Sequence, residues 1–288
     1  VRLAPIWRDI QVIEADLRNP DSLKQVQELA PEIVYHLAAY NHVGDSFLHI
    51  TEAVDSNEKG SVNLLEAYEG YDRFVYVSTS EVYGLQTEVP FQEGSMPAPL
   101  SPYAIGKYGG ELYARLKWRS FGRPVVIIRP FNAYGPYQSA RAVIAETIIT
   151  CLQQREVITT SATQTRDFNF VENLVDAFLL AGTASGVEGE TLNVGSGEEI
   201  SILDLVHKIR DLSGSDSSVR VGGLADRDGE IMRMCADNAH VRDMLGWTPS
   251  VDLDTGLRQT IDWYREYLAL FESPESPLWR LAVDTTTQ

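Results

Sequence analysis

Phe74-Val75-Tyr76-Val77-Ser78-Thr79-Ser80-Glu81-Val82-Tyr83-Gly84 and, further along, Ser101-Pro102-Tyr103-Ala104-Ile105-Gly106-Lys107 decide how this chain folds. The first stretch opens with four apolar residues, which read as a buried parallel strand, and hydroxyls and a carboxylate follow at its end. In the second, Ser101 can cap a helix that has Pro102 at its first position. Tyr103 and Lys107 stand four apart just inside that helix and so share one face. An ammonium beside a phenol favours the phenolate, so the pair predicts a tyrosine able to accept a proton near neutral pH. Thr79 would share that proton or orient a substrate hydroxyl. A Tyr and a Lys at this spacing can also be a plain surface pair, so their surroundings have to decide.

Outward from these stretches, apolar runs at 12–13, 33–37, 74–77 and 125–128 read as parallel strands. Helical segments at 21–29, 52–68 and 103–121 separate them. This is the βαβ rhythm of a doubly wound α/β sheet. After Pro136 the pattern loosens. Helices are expected over 140–153, 174–181, 201–212, 238–245 and 255–271, with short strands at 168–171 and 191–194.

With 288 residues, 44% of them hydrophobic, the chain can bury a large core as one or two domains. Lys and Arg total 24 against 41 Asp and Glu, a net charge of -17, which argues against nucleic acid as a partner. Cys151 and Cys235 form no paired motif and read as reduced thiols of a cytoplasmic protein. His36, His42, His49, His207 and His240 have no metal-ligand spacing, so no metal is expected. No apolar run reads as a membrane span or a signal peptide.

The two opening stretches are joined by further motifs in a fixed order. These are Ala15-Asp16-Leu17, His36-Leu37-Ala38-Ala39, Asn57 with Gly60, and Asn63-Leu64-Leu65-Glu66-Ala67. Then come Arg129-Pro130-Phe131-Asn132-Ala133-Tyr134-Gly135-Pro136, Gln164-Thr165-Arg166-Asp167-Phe168 and Asn193-Val194-Gly195-Ser196-Gly197. Leu245-Gly246-Trp247 and Gly256-Leu257 complete the set. From Asp9 to Tyr267 the chain resembles the extended short-chain dehydrogenase/reductase family, the NAD-dependent nucleotide-sugar epimerases and dehydratases.

The resemblance implies a Rossmann-like dinucleotide-binding domain over residues 1–136 and 165–195. A smaller C-terminal α/β substrate-binding domain would take 137–164 and 196–272, leaving 273–288 as a tail. It also implies a Gly-rich phosphate-binding turn in a first βαβ portion of roughly forty residues upstream of Asp16, where this sequence shows none. Homodimerisation through the helices at 52–68 and 103–121 is expected as well.

Site residues follow by the same resemblance. Tyr103, Lys107 and Thr79 would carry the redox step, with Glu81 and Ser80 beside them. Asp16 and Leu17 would lie at the adenine end of NAD, and Leu37, Ala38, Ala39, Asn57, Ser78, Pro130 and Phe131 along the rest of it. Asn132, Arg141, Arg166 and Arg227 would hold the nucleotide diphosphate or sugar of a UDP-, dTDP- or GDP-sugar, a task suited to the guanidinium fork. Plainer roles are open for several of these. Asp16 can be a turn residue, Asn57 a helix bridge, and each arginine a surface charge.

The reaction turns on Glu81, which matches the base that 4,6-dehydratases of the family use to remove the C5 proton; 4-epimerases need no such base. Thr-Ser-Glu resembles GDP-mannose 4,6-dehydratases and UDP-glucuronate decarboxylases, whereas dTDP-glucose dehydratases usually carry Thr-Asp-Glu. Decarboxylases place an Arg after the catalytic Lys, and here Tyr108 stands there. The stretch from Asn132 to Ile144 resembles UDP-N-acetylglucosamine 4,6-dehydratases. The leading expectation is therefore a 4,6-dehydratase, with a UDP-sugar 4-epimerase as the alternative. A 4-ketoreductase, a decarboxylase and a non-catalytic NAD sensor rank behind them.

Overall fold

A computed structural model of the chain describes residue 3 and residues 6–86, 88–226 and 229–271. Its elements begin with α1 (Lys24–Leu29), β1 (Ile33–His36), α2 (Val43–Ser46), α3 (Ile50–Val54), α4 (Gly60–Ala67), β2 (Arg73–Val77), α5 (Pro102–Phe121) and β3 (Val125–Pro130). They continue with β4 (Asn132–Tyr134), α6 (Val143–Leu152), β5 (Val157–Ile158), β6 (Thr165–Arg166), β7 (Phe168–Phe170), α7 (Val171–Thr183) and β8 (Thr191–Val194). The last are β9 (Ile200–Ser201), α8 (Ile202–Ser213), β10 (Val219–Arg220), α9 (Ala239–Leu245) and α10 (Leu253–Glu266). No helix among the described residues is long and apolar enough to cross a membrane.

The chain divides into two units. One comprises Val1–Phe131, Val175–Val194 and Ala236–Thr248; the other comprises Asn132–Leu174, Gly195–Cys235 and Pro249–Gln288. The boundary differs from the sequence expectation: residues 132–136, 165–174 and 195 fall in the second unit, and 236–248 in the first. Residues 132–136 join the second unit because β4 pairs in parallel with β7. Residues 236–248 join the first, where Ala236 bridges to Phe91 and α9 packs on β8. Such long-range pairings leave no local mark in a sequence.

In the first unit, β1, β2, β3 and β8 form a parallel sheet in that order. Phe74, Val75 and Tyr76 of β2 and Val125 to Ile128 of β3 are buried, which is why both strands read as unbroken apolar runs. Because the strands are parallel, the residues after β1, β2 and β3 all emerge at the same edge of the sheet.

The long helix α5 forms where its capping residues predict. The Ser101 hydroxyl accepts a hydrogen bond from the Ala104 N–H at 3.1 Å, Pro102 opens the first turn, and Gly122 closes the helix with φ 65°. It lies very close to β2 and to the helical run from Ile50 to Ala67. A Cβ at Gly110 would come within 2.4 Å of the Tyr76 hydroxyl and 2.9 Å of the Asn57 carbonyl. Between α3 and α4 that run has a π-helical turn, Asp55–Lys59, on which the buried Asn57 sits.

The expected strand at Val12 and Ile13 does not form. Among the described residues no strand pairs with residues 11–16, and Val12 is 52% exposed. An apolar pair without a ladder partner gains nothing from extended pairing. The helix expected over 21–29 opens with a 3-10 turn, Pro20–Leu23, capped by Asn19, before α1.

In the second unit, α6, α8 and α10 supply Ile144, Ile148, Leu205, Ile209, Leu257 and Ile261 to one apolar cluster, joined by Tyr134 and Phe170. Asp252 caps α10 by accepting from the Thr255 N–H at 2.7 Å. The very short strands β5, β6, β9 and β10 pair as β5 with β10 and β6 with β9.

Candidate active site

Past the end of β2 the chain keeps its strand bonding for one residue, since the Ser78 N–H donates to the Ile128 carbonyl at 2.7 Å. It then turns into a short 3-10 helix, Ser80–Tyr83, capped by the Thr79 hydroxyl, which accepts from the Glu81 N–H at 3.2 Å. Gly84 ends the turn at φ 60°, with the Ala98 carbonyl so close that a Cβ would sit 1.7 Å from it. No other residue fits there. This packing directs Thr79, Ser80 and Glu81 from the sheet edge toward the start of α5.

The Thr79 hydroxyl and the Glu81 carboxylate both lie close enough to the Tyr103 phenol to act on its ionisation. Burial pushes Tyr103 up to about 12; Thr79 lowers it and Glu81 adds to the rise. One turn on, Lys107 is 2% exposed, and its ammonium lies over the Tyr76 ring, 4.8 Å from the centroid. Burial brings Lys107 down to about 8, and the nearby Glu111 carboxylate opposes that fall. The Tyr76 hydroxyl donates to the Lys107 carbonyl at 2.8 Å.

The sequence expectation is that the lysine draws the phenol toward ionisation; in the chain by itself, desolvation is the larger influence on Tyr103 and acts in the opposite direction.

The other expected residues take several different positions. Asn57 serves as a bridge: its Oδ1 accepts from the Tyr40 N–H at 2.7 Å, and its Nδ2 donates to the carbonyls of Tyr40 (3.1 Å) and Tyr103 (3.4 Å). Ser78 turns inward and donates to Glu111 at 2.6 Å. Leu37 and Ala38 are exposed and Ala39 half-buried after β1, while Pro130 ends β3 and the buried Phe131 donates its N–H to the Val194 carbonyl at 2.9 Å. Asp16 is not at a strand end. It lies in coil, where Arg18 forks onto its carboxylate at 2.8 to 3.1 Å and holds it down to about 2. The carbonyl of Leu17 accepts from Asn63 at 2.8 Å.

The remaining residues belong to the second unit. Arg166 donates to the carbonyls of Thr165 (2.8 Å) and Ile231 (2.7 Å) and pairs with Glu230. Asn132 donates its N–H to the Asp167 carbonyl at 3.1 Å, and its buried side-chain oxygen has no partner among the described residues. Arg141 is half-buried, with its N–H on the Ser139 hydroxyl at 3.4 Å. Arg227 lies outside the described residues.

Residue-by-residue reading missed Glu111, Arg129 and Tyr76. The first was within reach: Tyr103, Lys107 and Glu111 recur every fourth residue on α5 and so share a face. Arg129 and Tyr76 reach the cluster from neighbouring strands, which no local spacing reveals.

The family model described as GDP-mannose 4,6 dehydratase matches residues 4–260. A dTDP-D-glucose 4,6-dehydratase of Mus musculus is 33% identical over 280 residues, covering 94% of this chain and 78% of that protein. Among solved structures, a dTDP-glucose 4,6-dehydratase from Streptomyces venezuelae with NAD bound is similar with a TM-score of 0.84 and 32% identity, covering 92% of this chain and 83% of the other. A UDP-glucose 4-epimerase from Thermotoga maritima with UDP-glucose is similar with a TM-score of 0.87 and 29% identity, covering 92% and 88%. The motifs around Thr79 and Tyr103, the parallel sheet that carries them and these likenesses agree: the chain belongs to the GDP-mannose 4,6 dehydratase family of extended short-chain dehydrogenases/reductases.

Proposed function

We propose that the chain is an NAD-dependent nucleotide-sugar 4,6-dehydratase. The reading is carried by Glu81, a carboxylate on the turn that Thr79 caps and within electrostatic reach of Tyr103. A base at that place is what dehydration requires and epimerisation does not.

The strand-end residues suit a dinucleotide. Ala38 and Ala39 offer backbone with little side chain beyond β1, next to the exposed Leu37, and Pro130 ends β3 at the same edge with Phe131 following it. Tyr103, Lys107, Ser78 and Asn57 would flank the nicotinamide half, with Asp16 and Leu17 toward the adenine. NAD, when bound, supplies a hydride acceptor and the positive charge that a buried phenol needs beside it to ionise. Tyr103 then takes the proton of the sugar C4 hydroxyl, while Thr79 holds that hydroxyl in line. Loss of the C4 hydrogen as hydride would leave a 4-keto group that acidifies the neighbouring C5–H; Glu81 would remove that proton, Ser80 would assist loss of the C6 hydroxyl as water, and return of the hydride to C6 with a proton to C5 would give the 4-keto-6-deoxy sugar.

On the substrate side, Asn132, Arg141, Arg166 and Arg227 hold the diphosphate and sugar. The unpartnered side-chain oxygen of Asn132 supports this, because a buried amide left unmatched costs about 1–3 kcal/mol and a ligand would relieve it. The chain works in the cytoplasm as a homodimer. Ile105, Leu112 and Leu116 are 49%, 49% and 43% exposed on one side of α5, an apolar stripe that a second copy would cover.

Full-length protein incubated with dTDP-, UDP- and GDP-hexoses tests the reading. A 4-keto-6-deoxy product, seen by its absorbance in alkali, supports dehydration. A C4 epimer formed without loss of water overturns it in favour of a UDP-sugar 4-epimerase.

A further inference from the structure

Behind the proposed catalytic pair lies a carboxylate with no part in the chemistry so far. Glu111 is fully buried and accepts hydrogen bonds from three directions. The Ser78 hydroxyl donates at 2.6 Å from the end of β2. Arg129 donates from β3 through Nε at 3.1 Å and a terminal nitrogen at 2.6 Å. Arg115, one turn further along α5, donates at 3.1 and 2.9 Å. Burial by itself raises the Glu111 carboxyl, but Arg129, Ser78 and Arg115 outweigh it and hold the group below the usual carboxylate range. It is therefore a charged group in the interior.

A buried ion pair is a poor device for stability alone, since apolar residues of similar size often serve as well. The position of Glu111 suggests another use. It follows Lys107 by one helical turn on the same face, and Ser78 immediately precedes Thr79. Lys107 is itself buried and has Tyr76 from β2 against it, with its ammonium on the ring. From β1 comes His36, which burial and then Lys107 drive down to about 3, so it is neutral and cannot balance the lysine. From α5 come Tyr103, a neutral phenol, and Glu111. Thr79 and Glu81 are engaged with Tyr103.

We propose that Glu111 is a positioning residue for Lys107: its carboxylate ties Ser78, at the head of the Thr79–Glu81 turn, to α5 and supplies the counter-charge that keeps Lys107 an ammonium. The role of Lys107 in turnover rests on the dehydratase reading, but the charge coupling does not.

The test is a titration that needs no substrate, so it stands even if no sugar nucleotide is turned over. The full chain is labelled with 13C at lysine Cε, and the Lys107 signal is identified by its loss in Lys107→Met. Glu111→Gln should move the Lys107 midpoint down by about one pH unit or more, as removal of a close opposite charge does. Arg115→Met removes a half-exposed positive neighbour of Glu111 and should move it up by roughly a few tenths of a unit. Ser78→Ala removes a hydrogen bond and no charge, and should leave it in place. An unmoved midpoint in a folded Glu111→Gln protein overturns the proposal, as does a Ser78→Ala shift equal to that of Glu111→Gln. If Glu111→Gln does not fold because Arg129 loses its partner, Arg115→Met decides: a midpoint that stays or falls overturns the coupling.

Discussion

At the end of β2, Thr79, Glu81 and Tyr103 act on one another within one unit, and Lys107 follows one turn further along α5. In the second unit, Arg166 is tied to Glu230, and Asn132 keeps a buried side-chain oxygen without a partner among the described residues. The first group is assembled by short-range geometry: a turn capped by its own residue and a helix face read every fourth position. The second is a set of separate residues, each with its own local ties. Under the proposed function, the first group has its geometry built into the folded chain, whereas the second would be completed by a ligand.

The comparison breaks most directly at Tyr103. Tyr103→Phe should cut turnover about 10³- to 10⁴-fold, with little change in melting temperature, because only the hydroxyl is lost. Steady-state rates and a thermal melt check both halves, and a loss under tenfold would remove Tyr103 from the proton transfer. Glu81→Gln should lower dehydration about 10²- to 10³-fold while nicotinamide reduction on mixing with substrate persists, as read at the NADH absorbance band. Equal loss of both steps would mean that Glu81 is structural.

A third test concerns the buried polar groups behind the pair. The His36 ring accepts or donates a 2.8 Å hydrogen bond with the Ser61 hydroxyl and is held at about 3 by burial. Its folded pKa lies below its unfolded one, so between about 6.5 and 3 the unfolded chain binds the extra proton. Stability conferred by neutral His36 is therefore present above about 6.5 and is lost as pH falls toward 3. Denaturant melts from pH 7 to 4 should lose up to a few kcal/mol from this group, and His36→Asn should flatten that slope. An unchanged slope would show that other groups control acid unfolding.

The smallest effect is expected in the second unit. Arg166→Lys should raise KM for the sugar nucleotide roughly five- to tenfold with kcat nearly constant, because a lysine cannot grip phosphate oxygens bidentately. An unchanged KM would confine Arg166 to its ties with Glu230, Thr165 and Ile231. That result would sharpen the contrast between the two units.

How much was legible follows the same division. The strands after residue 73 and the long helix at Pro102 were visible because apolar runs, Ser101 and Pro102 act within a few residues. The strand at Val12 was not sound, since an apolar pair becomes a strand only if a neighbour supplies its ladder. The short strands β4, β5, β6, β9 and β10 escaped because two or three residues carry no period. Asn57 was assigned to the cofactor by likeness. Its bonds to Tyr40 and to the Tyr103 carbonyl, which the sequence did not announce, also make it a brace at the start of α5.

By itself, the sequence determined the family, the parallel α/β sheet and the presence of a hydroxyl, a carboxylate, a phenol and an ammonium at its edge. All of these rest on order and spacing along the chain. Only the tertiary structure decided how those groups are charged. Desolvation pushes Tyr103 up and brings Lys107 down to about 8, a property of what packs around them. Glu111 is held ionised by Arg129 from a neighbouring strand, and no reading of one segment could have placed that guanidinium beside it.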